Sequence, residues 1–139
     1  MILRPDIRFS SGFPNDSVDG DADIPDVQSG RNIAEALKAA LQRRDYRVSD
    51  PINGGDHGWE LDIWRGRKRF WLQISVLAAD ECYLLTKLCT LWPDQRLFQA
   101  FLSDLQMILE ADSRFSQLGW FQSGGIYRRM APAAGPFDV

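Results

Sequence analysis

The sequence predicts an α+β domain, a two-layer sandwich of two helices on an antiparallel sheet of about 4–5 strands, in the order β-α-β-β-β-β-α-(β). Three patterns predict it. Residues 59–76 alternate apolar and polar residues on both sides of a basic, glycine-containing turn. Residues 31–44 and 94–112 carry apolar residues at helical spacing. These two helical stretches bracket the run of strands, which suits a sheet of hairpins covered on one side.

Taken in order, Ile7 and Phe9 alternate with Asp6 and Arg8, a short strand near residues 5–10. Residues 11–29 hold Gly12, Pro14, Gly20 and Pro25 and read as a long acidic loop. Ile33, Ala36, Leu37, Ala40 and Leu41 form the buried stripe of the first helix. Asn32 with Glu35 three residues on resembles a capping box, and Arg43 with Arg44 suits the negative C-terminal end. Tyr46 and Val48 alternate as a short strand before Pro51, and residues 49–58 read as loop.

The hairpin carries the most information. With Gly66 and Arg67 as the central residues of a type II′ turn, Ile63 faces Phe70, Leu61 faces Leu72 and Trp59 faces Ile74. All of these then lie on one side of the sheet; a slip of one residue would mix the faces. The other side pairs Trp64 with Arg69, Asp62 with Trp71 and Glu60 with Gln73, and sets Trp64 where Arg69 could make a cation–π contact. Residues 78–81 read as a turn; residues 82–91 are apolar on both alternations, so a strand is favoured for their Tyr and Thr content, with a helix as the alternative. Pro93 and Asp94 open the second helix, with Phe98, Phe101, Leu102, Leu105, Ile108 and Leu109 as its buried stripe. Leu118 and Trp120 suggest a short last strand. Residues 1–122 thus read as one domain, and the Gly-, Ala- and Pro-rich residues 123–139 as a mobile tail.

Composition narrows the function. The 139 residues carry a formal net charge of −3 and a pI near 5.1, which argues against a protein built to coat nucleic acid. No run of about 18 apolar residues is present, so no membrane span is expected, and the expected location is the cytoplasm. Cys82 and Cys89 are separated by an odd number of positions, so on one strand they point to opposite faces and stay free thiols.

No catalytic or metal constellation stands out, and no cofactor is expected. Asp19, Asp21 and Asp23 alternate as calcium ligands do, but Ile24 and Gly30 stand where a calcium loop needs Gly and Glu. His57 is the lone histidine and cannot build a two-histidine metal site. Glu60 and Asp62 share one side of a strand, where cross-strand ion pairing is their ordinary role. With His57 they form the one acid–base set available to an enzyme. Trp64 and Trp71 lie on the nominally polar side, next to the basic turn of Arg67 and Arg69. Trp and Arg are the residue types that most often dominate protein interfaces.

Gly58-Trp59-Glu60-Leu61-Asp62, Arg69-Phe70-Trp71-Leu72-Gln73 and Ala111-Asp112-Ser113-Arg114-Phe115-Ser116 resemble a type of small uncharacterised proteobacterial protein over residues 30–121. In size, acidity and build the chain is also similar to bacterial immunity proteins, which neutralise toxins delivered between cells. These likenesses rest on fold-determining residues and carry over no site. The expectation is a non-catalytic protein-binding module, of immunity or regulatory type. Its contact residues would be Trp64, Trp71, Arg67 and Arg69, with Asp19, Asp21 and Asp23 as a second contact. Self-association through the tryptophan side and an enzyme built on Glu60, Asp62 and His57 are the alternatives.

Overall fold

A computed structural model describes residues 1–19 and 25–138. The strands are β1 (Asp6–Ser11), β2 (Val18–Asp19), β3 (Pro25–Val27), β4 (Arg47–Val48), β5 (Ile52–Asn53), β6 (Trp59–Arg65), β7 (Lys68–Ala78), β8 (Glu81–Cys89) and β9 (Phe115–Phe121). The helices are α1 (Arg31–Gln42) and α2 (Gln95–Ala111), and a 3-10 turn spans Gly55–His57. Among the described residues β4-β6-β7-β8-β1-β9 form one antiparallel sheet, with β5 beside β6 as its seventh strand; β2 and β3 pair separately. The fold is therefore α+β. It has more strands than expected because β5 forms within residues 49–58, read as loop, and pairs with β6; β2 and β3 pair within the loop expected at 11–29, and the last strand is a full seven residues.

The hairpin forms in the expected register, with Trp59 opposite Ile74, Leu61 opposite Leu72, Ile63 opposite Phe70 and Trp64 opposite Arg69. The positive φ of its turn falls on Gly66 (61°) and not on Arg67, as a type II′ turn requires. Leu61, Ile63, Phe70, Leu72 and Ile74 are all completely buried. Beside them β8 turns Cys82, Leu84 and Thr86 inward, the Thr86 hydroxyl donating to the Pro5 carbonyl at 2.6 Å. β1 lies between β8 and β9 and buries Ile7 and Phe9.

The alternation of β8 separates the two thiols. Cys82 is buried and donates to the Ala78 carbonyl, while Cys89 is half-buried on the opposite face. Burial, then the charges of Asp80 and Glu81, push the Cys82 thiol up to about 11. At pH 8 only about one Cys82 in a thousand is thiolate. Native protein should therefore yield one fast equivalent with a disulfide thiol reagent and two in denaturant; two fast equivalents in the native state would contradict this burial.

Both helices lie on the inward side of the hairpin. Phe70 of β7 stacks on Phe101 of α2, with ring centroids 4.3 Å apart and planes 12° from parallel. α2 opens on Asp94, whose carboxylate accepts the Leu97 N–H at 3.0 Å. α1 starts differently from the expected capping box. Its N-cap is Gly30 (φ 118°), and the cap comes from the preceding loop. One Asp16 oxygen accepts Gly30 N–H and the other Asn32 N–H, each at 2.8 Å. Asn32 instead donates to the Pro14 carbonyl, and Glu35 pairs with Arg31. Asn32 already belongs to the first helical turn, so it cannot serve as the cap. Asp16→Ala should lower stability by about 1–2 kcal/mol, measured by urea unfolding, while Asn32→Ala should cost less.

The tail expected from residue 123 lies against the edge of the sheet. Trp120 and Ala133 exchange two backbone hydrogen bonds (3.0 and 2.9 Å), Phe137 bridges Leu3, and Asp138 pairs with Arg4 at 3.0 Å. An edge strand leaves N–H and C=O groups unpaired, and this segment meets some of those of β9. Among the described residues, no helix is long and apolar enough to cross a membrane.

Candidate functional site

With the helices on one side, the outer side of the sheet carries the second set of alternating residues. Across β4, β6, β7 and β8 one row reads Arg47, Trp64, Arg69, Cys89, and the next reads Asp62, Trp71, Lys87. Trp64 and Trp71 are diagonal neighbours on adjacent strands, and both are half-buried. Arg67 and Arg69 are exposed. Trp64, Trp71 and Arg69 thus share one end of one sheet face, and Arg67 stands in the adjoining turn.

Local contacts hold this face in shape. The Trp71 indole N–H donates to Glu60 Oε1 at 2.6 Å, and Arg69 pairs with Asp62 at 2.8 Å. The cation over Trp64 is Arg47, with its guanidinium carbon 5.4 Å from the ring centroid, and not the expected Arg69. Strand β4 adds to the far side of β6 and brings Arg47 opposite Trp64, while the nearby carboxylate of Asp62 claims Arg69. What remains is two fixed indoles beside the Asp62–Arg69 ion pair and the Glu60 carboxylate, with Arg67 and Lys87 lacking a carboxylate partner among the described residues.

Beneath the hairpin a second charged group has a structural role. Asp104 of α2 accepts the Tyr46 hydroxyl at 2.6 Å and pairs with Arg44 (3.3 Å) and Arg65 (3.7 Å). Burial first, then the Asp104 hydrogen bond, raises the Tyr46 hydroxyl far above the ordinary phenol range. The group ties α2 to the hairpin end and offers no free acid or base.

Of the acid–base set, Glu60 and Asp62 lie on one face of β6, two residues apart. Glu60 is bound to Trp71 and Asp62 to Arg69. His57 lies exposed in the 3-10 turn, where its backbone carbonyl accepts from Gln73 Nε2 (2.9 Å) and Ser75 Oγ (2.8 Å). None of the three lines the four principal clefts of the surface. Of the acidic loop, Asp19 lies in β2, whereas Asp21 and Asp23 lie outside the described residues. Among the described residues no three His, Cys, Asp or Glu side chains are grouped to hold a metal.

One surface escaped the sequence reading. Leu91 is 96% exposed and Trp92 81% exposed, at the end of β8 nearest the hairpin turn. Beside Leu91 a cleft of about 570 Å³ runs between β8, the start of α2 and the N-terminal segment, with Leu3, Pro5, Leu88 and Phe98 among its lining residues. The signal was there in Thr90-Leu91-Trp92-Pro93, two large apolar residues just before a helix-opening proline. Extending the strand to residue 91 hid it.

Comparison of the chain with protein families, with curated proteins and with solved structures finds no match.

Proposed function

We propose that the chain is a non-catalytic protein-binding module, an immunity-type or regulatory partner of another protein, and that it binds through the outer face of β6 and β7. The observation that supports this is the asymmetry of the sheet. Its inner side is sealed by α1 and α2, while its outer side offers Trp64 and Trp71, held rigid by Arg47 and Glu60 and only half covered. Rigid aromatic anchors lose little conformational entropy on contact, and central ones typically cost about 2 kcal/mol on truncation, roughly 30-fold in Kd.

The test is a photo-crosslinking residue placed at Arg67 or, as control, at exposed Glu110 of α2. The expected result is a discrete adduct with another protein from position 67 only, lost in the Trp64→Ala/Trp71→Ala double variant. Matching adducts at both positions would refute the assignment. Light scattering covers self-association: a dimer that the double variant dissociates would reassign the face to a second copy of the chain.

A further inference from the structure

We infer that the partner presents an acidic protein surface to the outer face of the hairpin, its carboxylates set against Arg47, Arg67 and Lys87 while its apolar groups cover Trp64 and Trp71. This partner chemistry rests on the outer face being a protein-binding surface, as proposed above. Around the two indoles the sheet places Arg47 of β4 and Arg69 of β7 on either side of Trp64, and Lys87 of β8 opposite Trp71. Exposed Arg67 stands in the adjoining turn, and exposed Lys68 opens β7 beside it. The carboxylates at this end of the face are Glu60, which accepts the Trp71 indole N–H, and Asp62, which pairs with Arg69. Five cations thus surround two carboxylates, and Arg47, Arg67, Lys68 and Lys87 have no carboxylate partner among the described residues.

The positive excess is local, because the chain as a whole carries −3. At the far end of β7 the sheet turns acidic, with Asp80 in the turn and Glu81 opening β8. A sheet polarised in this way steers an acidic surface to the Gly66 end and repels it from the other. Glu60 and Asp62 lie inside the basic patch, so an unbroken row of phosphates or of anionic lipid headgroups would press on both. A folded acidic surface places its carboxylates singly, opposite the cations and clear of those two groups. The side of the Trp64 ring under the Arg47 guanidinium is also closed to a stacking base. A second copy of the chain centred on the same indoles would set each cation among its own equivalents.

The experiment pans a random 12-residue peptide library on the full chain. Selected peptides that the Trp64→Ala/Trp71→Ala variant fails to bind mark the sheet face. These should be rich in Asp and Glu. They should bind about 10-fold more weakly to Arg67→Glu/Lys87→Glu, as two reversed charge contacts at an exposed rim would give. Arg67→Lys/Lys87→Arg, which keeps both charges, should bind like wild type. Arg67 and Lys87 are both exposed, so the charge-reversed variant should keep the wild-type melting temperature. Face-directed peptides without an acidic excess, or equal binding to the charge-reversed variant, overturn the acidic partner and leave the binding face standing. A failure to enrich peptides, or peptides indifferent to the loss of both tryptophans, overturns the binding face and the acidic partner with it. A single-stranded oligonucleotide or a phosphatidylserine vesicle that binds wild type, and is lost in the charge-reversed variant, would assign the patch to that anion and overturn the acidic protein partner.

Discussion

Gly58→Ala should destabilise the protein by about 3 kcal/mol or more, lowering Tm by roughly 10 °C. Gly58 has φ 96° and ψ −134°, a conformation available in practice to glycine alone. A Cβ there would sit 2.1 Å from the Ile74 carbonyl oxygen, so rotation of a side chain cannot relieve the clash; backbone must move. The backbone in question joins the 3-10 turn to β6, and the His57 carbonyl receives Gln73 and Ser75 there. Moving it would break those bonds and loosen β5 from β6. Two controls separate crowding from backbone strain. Gly55 and Gly66 also have positive φ (65° and 61°), but a Cβ at either meets nothing within 4 Å. Alanine at those positions should cost about 1–2 kcal/mol. Thermal melts of the three variants decide the matter, and equal losses would mean that Gly58 is not held against β7.

Phe70→Ala should cost about 3–5 kcal/mol. Its ring is fully buried, stacked on Phe101, with Phe98 at 6.4 Å and Tyr46 edge-on at 6.3 Å between centroids. Truncation opens a cavity where the hairpin meets α2, and its neighbours are themselves pinned, Tyr46 by Asp104. Phe70→Leu should cost much less, since most of the apolar volume stays. Trp71→Ala, one residue on, should cost about 1 kcal/mol of stability because that side chain points to the half-open face. Urea unfolding of the three variants tests the alternation of β7 directly. Similar losses at positions 70 and 71 would show that both faces of the hairpin are buried, and the proposed contact face would go with them.

Much of the candidate face was legible before any coordinates. Period-two alternation across Gly66 specified both the register and which residues turn outward, because only one register puts every aliphatic residue on one side. The partners of those residues were not legible. Arg47 reaches Trp64 through a two-residue strand, and Asp16 caps a helix from 14 or more residues away. Neither contact leaves a periodic trace. The Leu91–Trp92 projection failed for another reason. An apolar run with no alternation marks neither its faces nor its end, so the expected strand runs on through Leu91, past its end at Cys89, and gives Trp92 no place.

The division follows the range of the forces. Local sequence determined the α+β class, the hairpin, its turn and the inward stripes of both helices, since side-chain period and turn chemistry act over a few residues. Tertiary structure decided the placing of β1 between β8 and β9, the cap on α1, the laying of the tail along β9 and the opening of the cleft beside Phe98. Each of these joins groups far apart in the chain, where the unpaired N–H, carbonyl or apolar surface of one element is satisfied by another that no local pattern names.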